Sequence, residues 1–342
     1  MITEIEVKNF KTLRDVKIPL SPGITVMVGA NNSGKSNALA VLKLLREAER
    51  QTPNMAMAAL GGEESILSRD AADVMRVSAS VFLEGYTLKR HLTCTRGQAM
   101  VSGGESPGDL AAMGDRQFLG RLKGELAHLI NAISVHDLSV AALRAPAIIQ
   151  RGAVLGPDGR DVAAVLDNMA GEAPSLRDAI DETVRRAAHE VKRIVTRPGP
   201  QPGTKVLGIE ERDGRVYGAE DMSDGLLLFI GLAAAAQLKA DTRGVLAIEE
   251  PERGIHPRRL RDLVDHLLLL TKSGMQVVLT THSPTLLDEF RDSPDSVLIF
   301  DRDEQGTHVT RLSDRPDWAK ELKGAPLGEL WYSGVLGGVP GR

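Results

Sequence analysis

The run Gly29-Ala30-Asn31-Asn32-Ser33-Gly34-Lys35-Ser36 has the spacing G-x-x-x-x-G-K-[ST]. A glycine-rich turn of this kind aims backbone N–H groups and the positive end of a helix at phosphate oxygens. On that reading Gly29, Asn31, Asn32, Ser33, Gly34 and Asn37 surround the phosphates. Lys35 reaches the β and γ phosphates, and the Ser36 hydroxyl ligates magnesium. Far along the chain, the apolar run Val245-Leu246-Ala247-Ile248 ends in Glu249-Glu250-Pro251-Glu252. Neighbouring side chains on a strand point to opposite sides, so Glu249 can face a hydrated Mg2+ while Glu250 acts as base toward the attacking water. A solvated acidic turn is the plain alternative, and it suits Glu252 better than a pair closing an apolar strand.

Met222-Ser223-Asp224-Gly225 precedes a long apolar helical run, Leu226 to Leu238. Ser223 is a natural N-cap, and the N–H groups of Asp224 and Gly225 would be open to an anion. Alone, the triplet would mean only a cap; its position shortly before the paired glutamates gives it a place in the same site. A second apolar strand, Gln276 to Thr281, ends at His282-Ser283-Pro284. A lone histidine is more often structural, but at a strand tip beside the carboxylate strand His282 can donate to a γ-phosphate.

A parallel sheet is what would position these residues. Ile2 to Val7 and Leu13 to Leu20 alternate as strands, and Gly23 to Val28 runs straight into the glycine loop. Asn37 to Arg50 has helical spacing, opened by Gly34 to Ser36. Pro53 to Asp70 reads as a loop, Met75 to Leu83 and Tyr86 to Arg96 as a hairpin turning at Glu84-Gly85, and Gly103 to Gly114 as a surface loop. A helix from about Asp115 to Ala132 and a short strand around Ile133 to Leu138 follow. From Asp158 to Val195 apolar residues recur at helical intervals, a helical lobe closed by Pro198 to Gly203. Val206 to Tyr217 reads as a further hairpin turning at Asp213-Gly214. The strand Val245 to Ile248 is apolar throughout, as a central parallel strand is, and ligands sit beyond the carboxyl ends of such strands.

With 342 residues the chain has room for one large α/β domain carrying an inserted subdomain, or for two domains. Its 42 basic and 46 acidic residues give a formal charge of −4, which does not demand nucleic acid. Aromatic residues at 3% leave few rings for stacking on single-stranded bases. A single cysteine, Cys94, excludes an internal disulfide, and Met1 to Val7 alternates like a strand rather than a signal peptide. Gly225 to Gln237, the most continuous apolar stretch, is too short to span a bilayer. A cytoplasmic protein with no membrane contact is expected.

Together these segments resemble the ATPase module of the ABC superfamily, and more closely its soluble branch of SMC, RecF and OLD-type proteins. The carriers are Val7-Lys8-Asn9-Phe10-Lys11, Gly29 to Ser36, Ser223-Asp224-Gly225, Ile248 to Glu252 with Ile255-His256-Pro257, and Thr281-His282-Ser283, in the family's order. Leu143-Arg144-Ala145-Pro146 and Asp158-Gly159 extend it through the chain. The resemblance implies an α/β fold: an ABC-type P-loop ATPase head with a central, mostly parallel sheet, an N-terminal β-rich lobe and an inserted helical lobe. Within a single head spanning 1–342, the parts would run approximately over 1–110, 111–240 and 241–342. It further implies ATP and Mg2+ as ligands, hydrolysis to ADP and phosphate, and a homodimer or higher even oligomer. In such a dimer Ser223, with Asp224 and Gly225, contacts the γ-phosphate held by the other copy. Lys11 would reach the nucleotide from the first strands. His256 would lie in the inter-subunit loop, with plain helix entry beside Pro257 as an equal alternative. Three departures stand out: Ser-Asp-Gly replaces the transporter-like Ser-Gly-Gly and puts an acid near the incoming phosphate, Glu249 stands where many members have Asp, and the coupling glutamine is open between Gln98 and Gln150.

Two functions compete. The first is an ATP-hydrolysing dimeric switch in a multi-protein system such as antiphage defence, acting with a separate effector protein, for example a nuclease. OLD-type proteins carry a nuclease domain that needs a glutamate and an Asp-x-Asp pair. Asp301-Arg302-Asp303 copies the pair, but the chain ends at Arg342 without length for such a domain, and a strand-end turn before Gly306 is the simpler reading. The alternative is a RecF-like DNA-repair ATPase that binds duplex directly, with Arg258-Arg259-Leu260-Arg261 either on phosphates or forming a solvated helix face. A signalling GTPase or small-molecule kinase ranks below both, since no Asn-Lys-x-Asp segment is visible. In the tail Leu327 to Gly338, Trp331 is expected to pack back on the domain, with partner binding as its alternative.

Overall fold

The computed structural model describes residues 1–68, 74–95, 98–105, 116–238 and 243–339. Two compact units emerge, neither a single stretch of chain: Met1–Val135 with Thr242–Ala247 and Gly274–Arg342, and His136–Asp241 with Ile248–Ser273.

In the first unit, β1 (Ile2–Phe10) and β2 (Leu13–Pro19) pair antiparallel, and β4 (Val74–Leu83), β5 (Tyr86–Thr95) and β6 (Gln98–Glu105) complete a sheet of order β2-β1-β4-β5-β6. Glu84 and Gly85 take φ of 46° and 89°, the left-handed pair that a two-residue hairpin requires. The loop expected from Gly103 begins in β6 as a strand, and residues 106–114 lie outside the described residues. The stretch expected as a loop after Pro53 contains two short helices, α2 (Pro53–Ala58) and α3 (Glu63–Ile66). Pro53 at the first helical position and the Thr52 hydroxyl, accepting from Met55 N–H at 3.4 Å, start α2 where weak periodicity hid it.

The second sheet of this unit has the order β15-β14-β3-β13-β12-β7, with β3 at Ile24–Gly29, β7 at Ser134–His136, β12 at Val245–Glu249, β13 at Gln276–Thr281, β14 at Val297–Asp303 and β15 at Gly306–Arg311. Every residue of β3 and β13 is buried, as strands covered on both faces must be. Both β13 and β14 run parallel to β3, and β15 returns antiparallel. Helix α1 (Lys35–Arg50) turns Leu39, Val41, Leu42 and Leu45 inward onto a core shared with Phe10, Leu13, Met27 and Phe300. Helix α4 (Arg116–Asn131) joins the same core through Leu122, Leu126 and Ile130. The chain leaves this unit inside β7 and again inside β12, between Ala247 and Ile248.

The second unit holds α5 (Val140–Arg144), β8 (Ala147–Ile148), α6 (Val162–Glu172), α7 (Pro174–Ala187), β9 (Val191–Pro198), β10 (Thr204–Glu211), β11 (Val216–Gly218), α8 (Asp224–Gln237) and α9 (Leu260–Thr271). Helical spacing was expected to run to Val195, but it stops at Ala187. Val191 to Val195 pair with β10 in a hairpin, Ile194 opposite Ile209, and 199–203 form its turn with Gly203 at φ 77°. The β-branched residues at 191, 194 and 195 favour the pleated surface over another helical turn. Arg177 in α7 ties the layers, donating to the Leu166 carbonyl at 2.9 Å, while Asp181 accepts from Ile194 N–H at 2.8 Å.

The first unit also carries α10 (Pro284–Asp288), α11 (Trp318–Gly324) and α12 (Leu327–Tyr332). Trp331 is buried, so the tail does pack back onto its own domain. Asp303 accepts from Gln305 N–H at 2.7 Å and from His308 Nε2 at 2.9 Å, which makes Asp301 to Asp303 the end of a hairpin strand. Among the described residues no helix is long and apolar enough to cross a membrane.

Candidate functional site

Gly29 closes β3, and a Cβ there would stand 2.2 Å from the Phe300 carbonyl oxygen of the neighbouring strand and 2.8 Å from Ser33 Oγ. Only glycine lets the loop leave the sheet at this point. Asn32 takes φ 63°, and Gly34 takes φ 111° as the N-cap of α1. Lys35 is buried, and its ammonium folds back to donate to the carbonyl oxygens of Gly29 at 2.7 Å and Ala30 at 2.8 Å. Ser36 and Asn31 are exposed, Asn37 partly so. The first turn of α1 carries no acid, so nothing there opposes an anion at the helix N-terminus.

Two threonines that the sequence pattern did not single out hold this loop. Thr307 Oγ1 in β15 lies 2.9 Å from the Ser33 carbonyl oxygen and 3.0 Å from Thr12 Oγ1. A hydroxyl has one proton, so Thr307 donates to Ser33 and the Thr12 hydroxyl donates to Thr307. Asn37 Nδ2 then donates to Thr12 Oγ1 at 2.8 Å, completing a chain from α1 through the β1–β2 turn to β15. Lys11 sits in that β1–β2 turn at φ 50°, its N–H donating to the Ile66 carbonyl at 2.8 Å and its ammonium 5.7 Å from the Phe10 ring centroid. Arg302 Nη1 donates to the Asn32 carbonyl at 3.3 Å.

His282 follows β13, whose Thr281 is in register with Val28 of β3. Parallel pairing therefore places His282 and Gly29 at the carboxyl ends of adjacent strands. Ser283 caps α10, its Oγ accepting from Leu286 N–H at 3.2 Å.

In the second unit Ser223 is the N-cap of α8, with Oγ accepting from Leu226 N–H at 3.3 Å. A Cβ on Gly225 would stand 2.4 Å from the Gly254 carbonyl oxygen, so this glycine is required by the close approach of the 254 turn. Ser223, Asp224 and Gly225 line a cleft of about 610 Å³ together with Phe229, His256 and Arg259. His256 Nδ1 accepts from Arg258 N–H at 3.2 Å and caps the short turn Pro257–Arg259, so helix entry is one role it fills. Arg144, for which the sequence suggested no role, bonds to Asp224 Oδ1 at 2.8 Å. Glu249 ends β12. Glu250 takes φ 44° and pairs with Arg253 at 3.2 Å, and Arg253 pairs in turn with Asp137 at 3.0 Å. Arg253 and Asp137 were also missed, because surface charges give no periodic signal. Gln150 is exposed, its carbonyl accepting from Asn168 Nδ2 at 2.8 Å, while the Gln98 side chain lies outside the described residues.

Comparison with known proteins relates the chain to P-loop ATPases of the SMC and RecF kind. Residues 131–288 match the family described as "AAA domain, putative AbiEii toxin, Type IV TA system", and residues 1–86 match the "AAA ATPase domain" family. The DNA replication and repair protein RecF of Anaeromyxobacter dehalogenans is 24% identical, over 84% of this chain and 94% of its own length. RecF of Heliobacterium modesticaldum is also 24% identical, over 82% and 92%. Among solved structures, an SMC head bound to the C-terminal winged-helix domain of ScpA superposes with a TM-score of 0.61 at 16% identity, covering 90% of this chain and 96% of that one. A Pyrococcus furiosus Smc head bound to the C-terminal domain of ScpA gives 0.61 at 14% identity, over 94% and 99%. At such identity the likeness speaks for the fold, an α/β architecture of the SMC and ABC-ATPase head kind.

Proposed function

We propose that this chain, an AAA-type P-loop ATPase related to SMC and RecF heads, is an Mg-ATP-driven switch in which two copies close over shared nucleotide and part after hydrolysis. The observation that carries this reading is the folded-back Lys35: its ammonium rests on two loop carbonyls at 2.7 and 2.8 Å, in a turn whose helix presents no acid. A phosphate entering the loop would exchange those neutral acceptors for charged ones, which bind an ammonium about twice as strongly.

In this proposal Gly29, Asn31, Asn32, Ser33, Gly34 and Asn37 form the cradle, Lys35 binds the β and γ phosphates, and Lys11 approaches from the β1–β2 turn. Ser36 and Glu249 would hold Mg2+, which when bound neutralises charge building on the phosphates. Glu250, held by Arg253, takes the proton of the attacking water, and His282 donates to the γ-phosphate. Ser223, Asp224 and Gly225 meet the nucleotide of the other copy. The partner of this switch is a separate effector protein, for example a nuclease, in a system such as antiphage defence. Two of the similar SMC heads are bound to a domain of another protein, which supports a head that docks an effector.

The test is ATP turnover by the purified chain with Mg2+, and light scattering of Glu250→Gln with ATP. A dimer that forms with ATP and not with ADP is expected; a Glu250→Gln protein that binds ATP and stays monomeric would overturn the switch. A second reading, direct duplex binding as in DNA repair, is favoured by the two RecF relatives, each matched over more than nine-tenths of its length. Under that reading the chain alone retains duplex with ATP, with an affinity that falls steeply as salt rises.

A further inference from the structure

We infer that Arg144 is the positioning residue of the Ser223-Asp224-Gly225 turn, neutralising the Asp224 carboxylate and fixing the loop before α8 so that a polyphosphate can approach it. The inference rests on the dimer reading above, in which that turn meets the other copy's nucleotide.

Asp224 is the first residue of α8, and its side chain is 61% exposed. A carboxylate there suits the helix dipole, but it would repel a triphosphate arriving at the same N-terminus. Arg144 answers that charge from the end of α5, 80 residues earlier. Nη2 donates to Asp224 Oδ1 at 2.8 Å and to the Met222 carbonyl at 3.0 Å, and Nε donates to the Ala219 carbonyl at 3.0 Å. One planar fork therefore reaches three acceptors spread over the whole turn between β11 and α8. A lysine could not reproduce it, because an ammonium is a point charge on a flexible stem.

Stability alone does not account for the arrangement. The pair is partly solvated, with side chains 36% and 61% exposed, and ion pairs in that setting add little to folding. Its distinctive effect is local: the acid that stands at the first helical position arrives already paired, and the carbonyls leading to the Ser223 cap are fixed. Ser223 Oγ is itself occupied with Leu226 N–H, so in this inference an arriving polyphosphate is met by the N–H groups at the start of α8, and the order of the turn is what holds them in place.

The experiment compares full-length Arg144→Ala, Arg144→Lys, Asp224→Asn and the Arg144→Ala/Asp224→Asn pair, each also in a Glu250→Gln background. Hydrogen exchange without nucleotide reads the turn, a fluorescent ATP analogue reads binding to the monomer, and light scattering reads association against ATP concentration. Arg144→Ala should speed exchange over 219–226 and raise the ATP needed for association about tenfold, with analogue binding to the monomer unchanged. Removing the acid as well should recover most of the association but not the slow exchange. Arg144→Lys should recover some association and leave exchange fast. Unchanged exchange in Arg144→Ala, or a double variant no better than Arg144→Ala alone, overturns the inference. If the unmodified protein never associates with ATP while Arg144→Ala still loosens 219–226, the dimer reading fails and the positioning role stands.

Discussion

The hydroxyl of Thr307 fills the space that a side chain on Gly34 would need: its oxygen lies 2.5 Å from where a Cβ would be. Gly34 in turn has φ 111°, a conformation that resists any other residue. A β-strand late in the chain thus fixes the conformation of the phosphate loop near its start. Gly34→Ala should destabilise the protein by about 2 kcal/mol through strain and contact together, measurable by urea unfolding. Thr307→Val keeps the shape but leaves the Ser33 carbonyl without its donor; a loss of about 1–2 kcal/mol is expected, with a raised KM for ATP. An unchanged KM would mean that the loop holds its form without the threonine.

Lys35→Ala removes the ammonium without removing the helix that begins there. Nucleotide affinity should fall on the order of a hundredfold or more, since charge-assisted bonds to two phosphates go with it. The midpoint of thermal unfolding should also fall, by an amount corresponding to about 1–2 kcal/mol, because the buried Gly29 carbonyl loses its donor. Titration with ATP checks the first point; binding within a few-fold of the unmodified protein would refute the assignment.

Glu250→Gln keeps the size of the side chain and removes its ability to take a proton. Turnover should drop by roughly a hundredfold to ten-thousandfold, the range of general-base catalysis, with ATP affinity retained. Arg253→Ala frees the carboxylate at 3.2 Å from its ion pair and should lower kcat more than it raises KM. Single-turnover kinetics separate the two effects.

Burial, helped by the Glu63 carboxylate at 3.6 Å, pushes the Cys94 thiol up to about 11. At pH 8 the thiolate fraction should be roughly a hundredfold below that of an ordinary thiol, so iodoacetamide should label the folded protein slowly and the urea-unfolded chain quickly. The sign for stability follows. Below the unfolded thiol's value both states hold the proton and the contribution is intact; between there and about pH 11 the unfolded chain releases its proton first, so stability falls as pH rises. Cys94→Ser should remove that alkaline decline.

The elements that hold the nucleotide motifs were legible along the chain because each follows from a local pattern. Gly23 to Val28 is an apolar run that ends in glycines, Asn37 to Arg50 repeats at helical spacing, and Ser223 precedes a run of apolar residues; the structure has β3, α1 and α8 there. Short helices at Pro53 and Glu63 escaped notice because four to six residues carry too little periodicity to register. For β9 the sequence pattern points to helix because Val191 continues the spacing of Val184 and Ala187, and only pairing with β10 decides otherwise.

Residue order by itself determined the phosphate-loop pattern, since a glycine turn followed directly by a lysine and a hydroxyl needs nothing remote to define it. Folding decided what steadies those groups. Thr12 and Thr307 are 295 positions apart, and Arg144 meets Asp224 across 80. Bonds of that reach depend on which strands become neighbours and which helix ends meet a turn, and no local propensity encodes either.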